Sequence, residues 1–174
     1  LYMWGVSGDG GGAYDDITAW KGGDIDMGYT YELGGKVMIP GRYHVDTALN
    51  FVHGTTCTID ARGNPDAQFV FIVGTTFITA ADTYFKLKGG AKAENIIWLL
   101  GTAATLGARS IVEGSIVAKT AITFGTMAEI RGCAVGKSEV TFESRGYLNV
   151  RKQSDYVNSC YDGDGVCEGF AVHA

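Results

Sequence analysis

Hydroxyl side chains, rather than acids or bases, are what this sequence sets out at regular spacing. Thr102-Ala-Ala-Thr105, Thr120-Ala-Ile-Thr123 and Ser138-Glu-Val-Thr141 follow one another at equal offsets. Each is followed at once by a large apolar residue, Leu106, Phe124 or Phe142. Looser copies open at Thr75, in Gly74-Thr-Thr76, and at Thr55, in Gly54-Thr-Thr56. They are set further apart by the inserts 63–66 and 89–95. Thr is an ordinary strand residue, so its presence alone means little. Its register is the signal. Stacked in parallel, such segments make a grid of hydroxyls and methyls, held stiff because a β-branched side chain has few χ1 states. A rigid, flat, regular array of this kind can order water into a lattice-like layer, and its rung spacing lies close to an oxygen repeat of ordinary ice.

Reactive constellations are weak by comparison. The three histidines, His44, His53 and His173, have no Cys or carboxylate at zinc spacing. Asp162-Gly-Asp-Gly165 with Glu168 covers only part of a calcium loop and reads as a plain turn. The glycines at 8–12 neither follow a strand nor open a strong helix, so they make no phosphate cradle. Asp60, Asp66, Asp82, Glu94, Glu113, Glu129 and Glu139 are scattered through corners rather than clustered, and read as solvated. A polysaccharide-cleaving site needs such acids together. No catalytic residue, no metal ligand set and no cofactor is expected.

A period near 18 has a mechanical meaning for the elements that must position the hydroxyls. Three strands of about four residues and three corners close one triangular coil, and coils stack by parallel pairing about 4.8 Å apart. One coil cannot bury its apolar residues alone, but stacked coils share a column of them. Leu106, Phe124 and Phe142 form such an inward column, and the Thr pairs form two outward columns on one face. The 26 glycines against 2 prolines suit many tight turns. From Lys36 on, short runs rich in Val, Ile, Phe and Thr recur with no helical pattern between them. The expected fold is all-β, a right-handed parallel β-solenoid of triangular section, with one short α-helix over 13–21. Tyr14, Ile17 and Trp20 lie on one side of that helix. The chain divides into a loop and short-helix segment, 1–35, the solenoid, 36–150, and a tail, 151–174; within the first segment, 24–33 is ambiguous.

Composition narrows the partners. Net charge is −5 with no basic run, which argues against a nucleic-acid groove. The longest apolar runs, such as 69–73 and 96–100, are far too short to span a bilayer. No leader-like stretch opens the chain, so the expectation is a mature or trimmed secreted form. The four cysteines fit an oxidising compartment without proving it. Cys160 and Cys167 flank a Gly/Asp turn that suits a local disulfide. Cys57 and Cys133 either form a second bridge or stay buried as thiols.

Several stretches together resemble the microbial ice-binding protein family. They are Leu33-Gly-Gly-Lys-Val-Met-Ile-Pro-Gly-Arg-Tyr43, Asn64-Pro-Asp-Ala-Gln-Phe-Val-Phe-Ile-Val-Gly-Thr-Thr76 and Lys88-Gly-Gly-Ala-Lys-Ala-Glu-Asn-Ile-Ile-Trp98, followed by Gly101-Thr-Ala-Ala-Thr-Leu-Gly107, Glu113-Gly-Ser-Ile-Val-Ala-Lys-Thr-Ala-Ile-Thr123 and Gly132-Cys-Ala-Val-Gly136. The resemblance implies a discontinuous right-handed solenoid with a helix along one side. It also implies a flat face carrying Thr-Ala/Gly-x-Thr/Asn motifs, a non-enzymatic protein and an ice crystal as partner. Thr102, Thr105, Thr120 and Thr123 fit that motif; Ser138 and Thr141 fit in part, because Glu139 replaces the small residue; Thr75 and Thr55 fit loosely. The family usually begins with further strands that lead into a long helix. Here that region is absent or reduced to 1–35, which implies an open edge that a second chain could cover, as a homo-oligomer or filament. A structural or adhesive module built on that edge is the alternative function. The tail with Cys160 and Cys167 lies outside the stretches that carry the resemblance.

Overall fold

A computed structural model of the chain describes residues 25–145 and the short strands Tyr147–Leu148 and Val172–His173. The helix expected over 13–21 and the disulfide expected between Cys160 and Cys167 lie outside the described residues. Strands follow one another around three parallel sheets, so that the chain winds through each sheet once per coil. The first sheet contains Ile25–Asp26, Gly41–Val45, Phe69–Val73, Ile96–Leu100, Ser115–Ala118 and Ala134–Gly136. The second contains Thr30–Glu32, Ala48–Phe51, Phe77–Thr79, Ala104–Leu106, Ala121–Phe124, Glu139–Phe142 and Val172–His173. The third contains Val37–Met38, Thr56–Asp60, Tyr84–Lys88, Ile111–Glu113, Glu129–Arg131 and Tyr147–Leu148. The fold is a right-handed parallel β-solenoid.

Six coils are described, and their spacing explains why the repeat is plain in one half and blurred in the other. Ile97 pairs with Ser115 and Ile116 with Ala134, both at the short offset of the hydroxyl repeat. Gly41 pairs with Phe69, and Phe69 with Ile96, at clearly longer offsets. The extra length sits in two stacked loops between the third and first sheets. The Asn95 side-chain amide donates to the Pro65 carbonyl, and the Gly63 amide donates to the Gly89 carbonyl, joining one loop to the other. Within the later loop, Ala93–Asn95 form a 3-10 turn. The coil also starts earlier than Lys36: Ile25–Asp26 and Thr30–Glu32 pair in parallel with the next coil. Strands this short cannot show an alternating pattern, which is why 24–33 is ambiguous in sequence.

Alternation packs the interior. Leu49, Phe77, Ala104, Ile122 and Val140 form one inward column, and Phe51, Thr79, Leu106, Phe124 and Phe142 another. Phe124 and Phe142 stack at 4.4 Å, and a further stack runs from Tyr43 through Phe71 and Trp98 to Phe77. The buried Trp98 indole N–H donates to the Glu113 carbonyl at 2.9 Å, so the ring enters the core without an unsatisfied donor. Thr79 is the polar member of its column; its hydroxyl donates to Ser110 Oγ and accepts from the Gly107 amide. The first sheet is apolar on its outer face as well, where Val70, Ile72 and Leu99 form a second buried cluster with Ile97 and Val117.

The corner between the second and third sheets turns the same way in every described coil. Gly35, Gly54, Asp82, Arg109, Met127 and Arg145 occupy it with φ between 57° and 73°. A turn with positive φ at its third residue favours Gly, yet four of these six are L-residues with side chains. Asp82 and Arg109, on adjacent coils, meet in a two-pronged ion pair with both N–O distances 2.6 Å.

At this level the open alternative for Cys57 and Cys133 falls to the buried-thiol reading, and one expectation changes. Cys57 is a buried thiol outside any disulfide, so no Cys57–Cys133 bridge forms; Cys133 is buried as well. The two residues belong to different sides of the coil, Cys57 within the third sheet and Cys133 just before the last strand of the first. Burial pushes the Cys57 thiol up to about 12, with a smaller contribution from the Glu32 charge. Glu113 and Glu129 are not solvated. They are 3% and 5% exposed, and Arg131 bonds to both at 3.0 Å. Register is the reason: Arg131 is paired opposite Glu113 and lies two places after Glu129 on the same face. The bond to Glu129, then that to Glu113, holds the guanidinium above its ordinary range against the opposing effect of burial.

Candidate functional site

The outer face of the second sheet is the one broad surface among the described residues built from repeated small hydroxyl side chains. Its strands alternate with their apolar residues inward, so the intervening residues must point out. Three outward rows result. Along the edge next to the first sheet stand Thr47, Thr75, Thr102, Thr120 and Ser138, joined coil to coil by backbone hydrogen bonds of 2.8 Å. In the next row are Ala48, Thr76, Ala103, Ala121 and Glu139. The third row reads Asn50, Ile78, Thr105, Thr123 and Thr141.

The structure therefore brings together Thr75, Thr102, Thr105, Thr120, Thr123, Ser138 and Thr141, all but one of the positions singled out in sequence. Thr55 is not among them. It lies in the turn before the third sheet, where its hydroxyl donates to the Val52 carbonyl and its own carbonyl accepts from the Tyr84 amide. Gly54-Thr-Thr56 and Gly74-Thr-Thr76 look alike but enter different sheets. Spacing alone cannot show this, because the extra loops break the period.

Two residues of the face escaped the sequence reading. Thr47-Ala-Leu-Asn50 occupies the second coil at the same three rows, and Asn50 supplies an amide where later coils carry Thr. A search widened to accept Asn in the last place, with the longer gaps of the early coils, finds it.

Two hydroxyls of the edge row bond to the coil beneath. The Thr120 hydroxyl donates to the Thr102 carbonyl at 2.9 Å, and the Thr47 hydroxyl donates to the Tyr29 carbonyl. Thr105, Thr123 and Thr141 make no side-chain hydrogen bond within the described residues, so their hydroxyls face outward with both donor and acceptor available. Between the rows, Ala48, Ala103 and Ala121 present only a methyl each.

Among the described residues no group of His, Cys, Asp and Glu gathers as metal ligands do. His53 is turned to the Ala81 carbonyl at 2.8 Å, and His44 lies 3.5 Å from Asp46. No described helix is long and apolar enough to cross a membrane.

The described residues thus define a parallel β-solenoid with one hydroxyl-rich face whose three rows carry no charge from Thr47 to Thr123. The family model described as Ice-binding-like matches residues 7–146, and the chain belongs to that family. It is 32% identical over 113 residues to ice-binding protein K3-B1 of Typhula ishikariensis, covering 65% of this chain and 45% of that protein. It is 38% identical over 105 residues to an ice-binding protein of Lentinula edodes, covering 60% and 35%. Among solved structures, the ice-binding protein of the Antarctic ascomycete Antarctomyces psychrotrophicus matches with a TM-score of 0.71 at 32% identity, over 81% of this chain and 68% of that one. An ice binding protein from an Antarctic biological consortium matches with a TM-score of 0.73 at 29% identity, over 80% and 62%. The chain spans about half the length of the curated relatives it matches.

Proposed function

We propose that this chain is a secreted, non-enzymatic ice-binding protein that adsorbs to ice through the outer face of the second sheet and slows ice growth or recrystallisation. The observation that carries the reading is the registered pair of Thr-rich rows, Thr47 to Ser138 and Asn50 to Thr141, separated by a row that is Ala or Thr as far as Ala121. Parallel pairing holds successive rungs about 4.8 Å apart, and β-branched side chains resist rotation. The array is therefore ordered before it meets a surface, which lowers the cost of ordering on contact. Hydroxyls anchor water while the methyls confine it, and a layer held in lattice-like register joins the crystal. The ice front then advances only between adsorbed molecules, where it curves and stalls. Ice-affinity partition of the purified chain tests this. Enrichment in the ice fraction, with shaped crystals and thermal hysteresis, is expected; a folded protein left in the liquid with neither effect overturns it.

A second reading, a structural module whose copies stack end to end into an oligomer or filament, draws on the first coil. Its strands lie at the ends of their sheets, and Ile25, Tyr29 and Val37 are exposed there. Electron microscopy of the purified chain separates the two: uniform single particles count against stacking.

A further inference from the structure

Glu139 stands where the face should carry a methyl. It pairs in register with Ala121 and continues the row of Ala48, Thr76, Ala103 and Ala121. Its side chain is exposed and makes no hydrogen bond or ion pair within the described residues, so the carboxylate projects from between Ser138 and Thr141. One other acid lies on this face, Glu32 in the first coil. It is folded away: its Oε1 accepts from the Gly34 and Val52 amides at 2.7 and 2.9 Å, which pulls it into the corner toward the third sheet. From Thr47 to Thr123 the three rows contain no charged side chain.

We infer that Glu139 sets the boundary of the ice-contacting patch, confining it to the second through fifth coils and weakening adsorption by the sixth, although Ser138 and Thr141 continue both hydroxyl rows. The inference rests on the proposed ice binding. Two physical effects act at the same position. A carboxylate orients its own hydration shell, and pressing it against a solid without a counter-charge carries a desolvation cost that a methyl does not. Its side chain also reaches further out than the alanine methyls of the same row. Ile78 and Asn50 also depart from the hydroxyl row, but both are uncharged.

Thermal hysteresis and ice partition are compared for the parent chain, Glu139→Ala and Ala121→Glu at equal molar concentration, with circular dichroism and thermal melts to verify folding. Glu139→Ala changes an exposed side chain and extends the patch by one coil; its hysteresis rises above the parent's with the melt unchanged. Ala121→Glu moves the boundary one coil inward, and its hysteresis falls below the parent's. A parent that partitions into ice while Glu139→Ala gives no rise overturns the inference and leaves the proposed function standing. Absence of partition by both the parent and Glu139→Ala overturns the two together.

Discussion

The Thr120 hydroxyl donates a hydrogen bond of 2.9 Å to the main-chain carbonyl of Thr102, one coil below it. Thr123, further along the same strand and in the neighbouring row, makes no such bond among the described residues. Thr120 and Thr123 thus differ in what they do for the fold. Thr120→Val loses an intercoil bond and is expected to lower stability by about 0.5–1.5 kcal/mol. Thr123→Val is expected to change it by less than about 0.5 kcal/mol. Urea melts measure both. Equal losses would show that the Thr120 bond does not contribute.

Bulk on the face tests contact rather than stability. Thr120→Tyr or Thr123→Tyr raises a ring above neighbours that otherwise stand level, and thermal hysteresis is expected to be abolished while circular dichroism stays that of the parent. A variant that retains parental hysteresis would remove its position from the contact surface.

The interior is more sensitive than the face. Phe124 is fully buried and stacks on Phe142 at 4.4 Å. Phe124→Ala removes the ring from a packed column, at an expected cost of about 3–5 kcal/mol. Denaturant unfolding reads this directly, and a cost under about 1 kcal/mol would mean that the column repacks.

At the corner between the first and second sheets, a Cβ placed on Gly101 would overlap the Gly74 carbonyl, and one on Gly74 would overlap the Asp46 carbonyl. The obstacle is backbone held by intercoil hydrogen bonds, including those from the Gly101 amide to Val73 and from the Gly74 amide to Val45. Gly101→Ala therefore forces coils apart. Its expected cost exceeds about 3 kcal/mol, seen as a large drop in melting temperature or as insoluble protein.

The Asp82–Arg109 pair ties adjacent coils at the corner where both residues hold positive φ. The bond from Arg109 holds the Asp82 carboxyl below the usual aspartate range. A group depressed in the folded state contributes stability that is fully present above its unfolded pKa, about 4. That contribution is lost as pH falls through the lower folded value. Urea midpoints of the parent and Arg109→Gln are therefore expected to differ at neutral pH and to converge in acid, the other carboxylates contributing equally to both. A gap that persists unchanged in acid would assign the effect of Arg109 to something other than this pair.

How much of this was legible in the sequence depended on where the period was regular. Three coils at constant spacing fixed the register of Thr105, Thr123 and Thr141 and the inward column of Leu106, Phe124 and Phe142, because in a strand alternation and spacing together determine which way a side chain points. They also pointed to the family. Thr47 and Asn50 were missed and Thr55 was misplaced for one reason: the loops at 61–68 and 89–95 change coil length without changing the sheets, and a one-dimensional period cannot tell an inserted loop from a shifted strand.

What only the tertiary structure decided is the set of contacts between coils. The sequence by itself specified an all-β solenoid with a hydroxyl face, since composition, turn residues and an apolar repeat are local properties. Only the folded chain shows that Glu113 and Glu129 are buried around Arg131, that Cys57 stays a thiol, that Val70 and Leu99 are buried on the outer face of the first sheet, and that Glu32 folds away while Glu139 stands free. Arg131 and Glu113, like Glu32 and the Val52 amide, are a whole coil apart along the chain and one rung apart in space. No local pattern records a neighbour that the winding of the coil creates.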